Sequence, residues 1–335
     1  MNNFLCIYHG NCLDGFAAAW VIRKACGNHN VEFHAGVYQT SPPDVTCKDV
    51  VMVDFSYKRP VILEMAAKAR SILIIDHYKT AFEDLQGLPE NVRVVFDVEH
   101  SGCMLTWRYC FEEEPPRLLY HIEDRDLWRF KLPGTREINA ALFSCPYDFA
   151  LWDAWMGRDA IAQQNAIKDL EADGKAIERK HHKDIAELLG VMTRRMVISG
   201  YDVPIVNLPY TLSSDAGHKL AQGEPFAACY YDKPDGREFS LRSCDGGVDV
   251  SDIAKQYGGG GHEHAAGFRV PFQHELVLRM VGFSFVSGSV DSVLLDGDGR
   301  VVSVQVGEDY VRKAHKSEVY ESYRKPGPTE VIAEG

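Results

Sequence analysis

Ser71-Ile72-Leu73-Ile74-Ile75-Asp76-His77-Tyr78 is an apolar run that hands over to a carboxylate and an imidazole. A buried strand of an α/β fold presents chemistry at that end, because ligands collect beyond the carboxyl ends of parallel strands. Two other runs follow the same plan. Lys48-Asp49-Val50-Val51-Met52-Val53-Asp54 ends in a carboxylate, and Phe4-Leu5-Cys6-Ile7-Tyr8-His9 ends in an imidazole. Three strands delivering metal-ligand side chains to one edge predict a site there.

Around these runs the first part of the chain alternates strand and helix. An Ala-rich helix is expected from Gly15 to Lys24, stopping near Gly27, and a second from Pro60 to Ala69. Strands are expected at Val31 to Tyr38, Val50 to Asp54, Ile72 to Asp76 and Val92 to Asp97, with further helices at Gly102 to Phe111 and Arg117 to Asp124. This alternation predicts an α/β fold with a mainly parallel sheet and helices on its faces.

From Arg158 to Leu189 the period becomes helical and the composition strongly charged, with Gly174 as an interruption. One kinked helix or two helices are expected there as a connector. Met196 to Asn207, Pro225 to Asp232 and Glu238 to Ser243 read as strands of a smaller α/β lobe, with helices at Ala216 to Ala221 and Asp252 to Tyr257. The tail offers a hairpin, Ser289 to Leu295 and Val301 to Val306, about the turn Asp296-Gly297-Asp298-Gly299. A polar, loose end containing Pro326-Gly327-Pro328 follows.

The 335 residues suggest two domains and an appendage, and 45% hydrophobic with 25% charged residues is a globular composition. No segment has the roughly 20 apolar residues that cross a bilayer, and the start, Met1-Asn2-Asn3-Phe4, lacks the regions of a signal peptide. The expected location is cytoplasmic. Nine cysteines without a Cys-x-x-Cys pair read as reduced thiols. A net charge of −12 argues against gripping a long duplex by phosphate neutralisation, but short anionic substrates fit if metal ions supply local positive charge.

His9, Asp14, Asp54, Asp76, His77, Asp124 and Asp126 form a set of imidazoles and carboxylates without a thiolate pattern, which suits Mn²⁺ or Mg²⁺ better than structural zinc. Two such cations about 3.5 to 4 Å apart serve phosphoester hydrolysis. Each aspartate also has a bland explanation. Asp14 could cap the Ala-rich helix, and Asp124 and Asp126 could pair with Arg125 or Arg129.

The second signal is Gly258-Gly259-Gly260-Gly261-His262-Glu263-His264-Ala265-Ala266-Gly267-Phe268. Successive bare glycines let backbone N–H groups approach an anion, and His262 adds a donor. Upstream, Ser240-Leu241-Arg242-Ser243 ends a strand with a guanidinium suited to phosphate.

Asp76-His77-Tyr78, with His9, Asp14, Asp54 and Asp124, resembles the motifs of the DHH phosphoesterase superfamily. Ser240-Leu241-Arg242-Ser243 and the Gly258 to Phe268 stretch are similar to its DHHA1 substrate-binding domain. The resemblance runs through roughly residues 4 to 270. It implies a DHH catalytic domain at 1–157, a helical connector at 158–190, a DHHA1 domain at 191–271 and an extension at 272–335. It further implies His9, Asp14, Asp54, His77 and Asp124 as ligands of two Mn²⁺ ions, with Mg²⁺ as the substitute. Asp76, His77 and Tyr78 would be the catalytic motif, Asp76 supporting His77 from behind. Arg242, Ser243, Gly259, Gly260, Gly261 and His262 would hold the nucleotide.

Two departures stand out: Tyr78 replaces a histidine, and the first motif, His9-Gly10-Asn11-Cys12-Leu13-Asp14-Gly15, has one carboxylate where the superfamily commonly has two. Asn11 or Cys12 is the available substitute. The expected function is a phosphodiesterase or exonuclease that releases nucleoside monophosphates from short single-stranded RNA or DNA, or from dinucleotides. The alternatives are a phosphatase of a small nucleotide such as 3'-phosphoadenosine 5'-phosphate, and a nucleotide sensor with a weakened centre. No membrane partner is expected, and a homodimer is compatible with the sequence.

Overall fold

The structure is a computed structural model that describes residues 4–27, 31–38, 40–157 and 159–280. Beyond these it describes the strand backbones 284–286, 292–295, 301–306 and 309–312. The chain divides into two compact units, Met1–Glu187 and Leu188–Gly335.

In the first unit the order is β1 (Phe4–His9), α1 (Leu13–Cys26), β2 (Val31–Gly36), β3 (Asp49–Val53), α2 (Arg59–Ala66), β4 (Ser71–Asp76) and β5 (Val92–Phe96). Then come α3 (Gly102–Cys110), α4 (Arg117–Asp126), α5 (Thr135–Phe143), α6 (Phe149–Met156) and α7 (Ala160–Met192). All five strands pair in parallel, in the order β2-β1-β3-β4-β5. The chain runs from β1 outward to β2 and then returns to the other side of β1 with β3. The strand order therefore reverses between β1 and β3, the place where a doubly wound sheet opens a crevice.

Both sheet faces are covered, which is why the strands are apolar on both sides. Successive side chains alternate. Val51, Val53 and Ile75 pack with α1 and α3 residues such as Ala17, Val21, Met104 and Trp107, whereas Val50, Met52, Ile72 and Ile74 pack with Ile62 and Met65 of α2. Each such fully buried aliphatic side chain contributes on the order of 1.5–3 kcal/mol. Ala17, Ala18 and Ala19 are fully buried, so the small side chains that suggest a helix also let α1 lie close in the core.

Two helices, α5 and α6, are additions to the sequence reading. The first follows Gly134, whose φ of 81° turns the chain into the helix, and the second is capped by Asp148, which accepts from Leu151 N at 2.9 Å. The connector is a single 33-residue helix. Gly174 does not break it. A Cβ there would lie 1.7 Å from Glu137 O, so the glycine lets α7 lie directly against α5.

In the second unit, β6 (Arg194–Ile198), β7 (Tyr201–Asn207), α8 (Tyr210–Leu220), β8 (Ala227–Lys233), β9 (Gly236–Arg242), α9 (Val250–Gln256), β10 (Gly260–His262), β11 (Ala265–Val270) and α10 (Glu275–Met280) follow in order. The sheet order is β10-β11-β9-β8-β7-β6. The expected single strand from Met196 to Asn207 is two antiparallel strands, folded back at Ser199 and Gly200. Both have positive φ, 50° and 84°, as a two-residue hairpin turn requires. Phe226, Phe239, Leu241 and Phe268 form the core of this lobe.

Further on, β12 (Ser284–Val286), β13 (Ser292–Leu295), β14 (Val301–Val306) and β15 (Asp309–Arg312) make a four-stranded antiparallel sheet. The turn at Asp296 to Gly299 and the polar end with Pro326-Gly327-Pro328 lie outside the described residues. Among the described residues no helix is long and apolar enough to cross a membrane.

Candidate metal centre

Register places the site. Tyr8 pairs with Val53 and Val53 with Ile75, so the residues that leave the three neighbouring strands are His9, Asp54 and the Asp76-His77 pair. Asp54 leaves with φ 53°, a left-handed conformation that is uncommon for a residue other than glycine and is often found at functional sites. Asp14 comes from the first turn of α1. All of Asp14, Asp54 and His77 are buried.

The donor atoms fall into two triads, His9-Cys12-Asp54 and Asp14-Asp54-His77, with the atoms of each within 4.8 Å of one another. Asp54 belongs to both. His77 Nε2 lies 3.0 Å from Asp54 Oδ1 and 3.6 Å from Asp126 Oδ2, and His9 Nδ1 lies 3.4 Å from Asp54 Oδ2. Asp14 accepts from the backbone N of Cys103, at the start of α3, with both oxygens at 3.2 Å. Gly102 allows that approach. A Cβ there would lie 2.4 Å from Asp54 Cβ and 2.8 Å from Asp14 Oδ2.

These groups perturb one another in the way expected of a crowded anionic pocket. Burial, reinforced by the charges of Asp54 and Asp126, pushes the Asp14 carboxyl well above its usual range. Burial also raises Asp126, to about 6, with His77 opposing it and Asp54 adding to it. Burial would raise Asp54 as well, but the attraction of the His77 and His9 rings outweighs it and holds that carboxyl well below its ordinary value. At His77 burial pulls downward, but the bond to Asp54 and the charges of Asp126, Asp54 and Asp14 bring it up to about 10.

The residues fit divalent cations. Oδ2 of Asp54 and Oδ2 of Asp126 are buried and accept no hydrogen bond within the described residues. A buried oxygen that accepts no hydrogen bond costs roughly 1–3 kcal/mol, and more when charged; the nearby rings, His9 at 3.4 Å from Asp54 Oδ2 and His77 at 3.6 Å from Asp126 Oδ2, offset part of this, and a cation would take up the rest. Carboxylate and imidazole donors are the set that Mn²⁺ and Mg²⁺ accept.

Of the residues expected from the sequence, the structure brings together His9, Asp14, Asp54 and His77, and it does not bring Asp124. Asp124 accepts from Lys131 N at 2.8 Å, Leu132 N at 3.0 Å and Thr135 Oγ1 at 2.7 Å, and so ties α4 to the start of α5. Residues two apart on a helix point in nearly opposite directions, and here it is Asp126 that faces His77. The sequence pattern includes Asp126 among the candidates but ends the helix at Asp124, which hides this geometry.

Asp76 supports His77 through the backbone: Oδ1 accepts from the backbone N of His77 at 2.8 Å and of Tyr78 at 3.3 Å, and Oδ2 from Ser56 Oγ at 2.6 Å. It shapes the turn that aims His77. The Tyr78 hydroxyl lies 3.1 Å from His9 Nδ1. Gly102 and Cys103 escape a sequence search for ionisable residues because their contribution is backbone.

In the second unit, Arg242 donates to Leu241 O and, at 2.9 Å, to Ser214 Oγ; Ser243 Oγ lies 2.9 Å from His264 Nδ1. His264 and Ser214 carry no sequence signal of their own. The glycine run has a packing duty as well. It ends α9, with Gly259 N donating to Ala254 O at 2.9 Å, and begins β10 against β11. A Cβ on Gly259 would lie 2.0 Å from Gly267 O, and Gly261 has φ 145°. Gly260 and His262 are half-buried in the same hairpin.

No protein-family model matches the sequence. An uncharacterized protein of Acanthamoeba polyphaga mimivirus is 32% identical over 292 residues, 78% of this chain, and the chain spans 66% of that relative's length. Among solved structures, the DHH domain of a protein assigned to a family of ribosomal proteins superposes with a TM-score of 0.56 at 15% identity, over 83% of this chain and 85% of that one. The exonuclease RecJ bound to manganese gives 0.45 at 12% identity, over 81% and 86%. The likeness to the first establishes the fold. The chain has the DHH fold, as the resemblance of its motifs implied.

Proposed function

We propose that this DHH-fold chain is a divalent-cation-dependent phosphoric ester hydrolase that cleaves short single-stranded oligonucleotides or dinucleotides to nucleoside monophosphates. One observation carries the reading. Two triads of metal-ligand atoms share the buried Asp54 at the strand-order reversal of the sheet, beside carboxylate oxygens that accept no hydrogen bond within the described residues.

Asp14, Asp54, His77 and Asp126 would hold Mn²⁺ or Mg²⁺, with His9 beside Asp54 on a second divalent cation. Cations so held lower the pKa of water and offset the charge that builds on a phosphoryl group as it is displaced. The chain's own part is to position and to deprotonate. Nε2 of His77 can become a ligand only without a proton, and it lies 3.0 Å from Asp54 Oδ1, so cation binding there would be coupled to proton release. Asp76 and Ser56 fix the turn that aims His77, and Tyr78 fixes the His9 ring through Nδ1. In the second unit Arg242, Ser243, His262 and the glycine backbone would grip a nucleotide phosphate.

The test is a panel of labelled RNA and DNA from two to twenty-odd nucleotides, about the span that separates a dinucleotide pocket from a strand groove, together with cyclic dinucleotides and 3'-phosphoadenosine 5'-phosphate, each with Mn²⁺. Release of monophosphates from the shortest oligonucleotides, abolished by Asp54→Ala, is the expected result. Turnover of 3'-phosphoadenosine 5'-phosphate alone would replace the reading with a small-nucleotide phosphatase, and tight binding without turnover would replace it with a sensor.

A further inference from the structure

We propose that Cys12 is a thiolate ligand, and that with His9 and Asp54 it forms the softer of two cation subsites, one that takes Zn²⁺, Co²⁺ or Cd²⁺ in preference to Mg²⁺. The inference rests on the hydrolase reading above and adds to it a metal selectivity that carboxylates and imidazoles alone would not give.

Three observations converge on it. The Cys12 sulfur lies within 4.8 Å of a donor nitrogen of His9 and a carboxylate oxygen of Asp54. Asp54 is fully buried, and its Oδ2, 3.4 Å from His9 Nδ1, accepts no hydrogen bond within the described residues, so it is a charged atom aimed into this group with its acceptor capacity unused. Cys12 also differs from the neighbouring thiols. Cys6, Cys26, Cys103 and Cys110 pack in or against the apolar core, as buried free cysteines usually do, whereas Cys12 stands among polar groups outside that core. Asn11, the other candidate substitute for the missing carboxylate, is exposed and has a φ of 56°, which commits it to the turn between β1 and α1.

The two triads then differ in chemistry while sharing Asp54. Asp14-Asp54-His77 offers two oxygens and one nitrogen, a hard set suited to Mn²⁺ or Mg²⁺. His9-Cys12-Asp54 offers sulfur, nitrogen and oxygen, a set that favours borderline and soft ions and does not suit Mg²⁺. On binding, the Cys12 thiol loses its proton to solvent and its sulfur lone pair goes to the cation; no oxidant or reductant takes part.

The test is a titration of the metal-free full-length protein with Co²⁺ and with Cd²⁺, followed by ultraviolet absorption, in wild type, Cys12→Ser, Cys12→Asp and Asp54→Ala. The expected result is an intense sulfur-to-metal charge-transfer band in wild type that is absent from Cys12→Ser. Cd²⁺ affinity should drop at least about tenfold in that variant while Mn²⁺ affinity changes far less. Cys12→Asp should bind the same number of ions without the band and move the preference toward Mn²⁺ and Mg²⁺; circular dichroism identical to wild type checks its fold. A wild-type protein that binds cations through Asp54 yet shows no band, or a band that survives in Cys12→Ser, overturns the Cys12 assignment alone. Failure of every cation to bind wild type overturns it together with the hydrolase reading.

Discussion

His77 Nε2 lies 3.0 Å from Asp54 Oδ1, with both side chains fully buried. Asp54, Asp126 and Asp14 favour the charged form of the His77 ring, so that ring offsets part of the negative charge that a cation would offset. This makes the centre a coupled unit of charge and fold, and the predictions below separate the two.

A cation that binds only the folded chain should stabilise it. At about a hundred times its dissociation constant Mn²⁺ should add about 2.7 kcal/mol, read as a rise in Tm that a chelator reverses. Asp54→Asn should abolish the rise, since Asp54 belongs to both triads. An equal rise in that variant would place the cation elsewhere.

Asp124 and Asp126 should behave oppositely. Asp124→Asn weakens three hydrogen bonds that join α4 to α5 and should cost about 1–3 kcal/mol of stability, with Mn²⁺ affinity nearly kept. Asp126→Asn removes a raised, crowded carboxyl and should leave Tm equal or higher while Mn²⁺ affinity falls. Parallel denaturation and cation titration of the two variants decide between these patterns and their reverse.

Gly102→Ala tests the backbone's part. Its Cβ would press on Asp54 Cβ and Asp14 Oδ2, displacing two candidate ligands while leaving their chemistry intact. Mn²⁺ affinity should fall about 10- to 100-fold in a chain whose circular dichroism is unchanged; an unaltered affinity would show that the helix start can shift without consequence.

His218 supplies a pH test away from the centre. Burial lowers it from 6.5 to about 4, opposed by its bond to Ser214 O. A depressed imidazole is neutral in the folded chain while the unfolded chain takes up a proton. Its contribution is therefore present above pH 6.5 and is lost as pH falls toward 4. Stability profiles of wild type and His218→Gln, overlaid, should diverge in slope within that window, and parallel profiles would contradict it.

Much of this fold was legible because both faces of the sheet are covered: Val50 to Val53 and Ile72 to Ile75 had to be apolar without alternation, and the polar residues that end those runs had to emerge at one edge. His9, Asp54 and His77 follow directly from that register. That Asp126 and not Asp124 lies beside His77 was not legible, because it required knowing where α4 ends and how its last turn is oriented. Asp76 ends its strand as Asp54 does, but it serves the backbone turn that carries His77. Gly102 and Gly174 act through atoms they lack, so only packing reveals them. The hairpin at Ser199-Gly200 was hidden inside a continuous apolar stretch, since a two-residue turn interrupts hydropathy too briefly to register.

The most direct measurement of the central claim is an anomalous difference map from crystals grown with Mn²⁺. Density is expected among Asp14, Asp54, His77 and Asp126, and beside His9 and Asp54, with Asp124 still bonded to Lys131, Leu132 and Thr135. Manganese bound away from Asp54, or a pocket that keeps the His77–Asp54 hydrogen bond and admits no ion at saturating Mn²⁺, would contradict it.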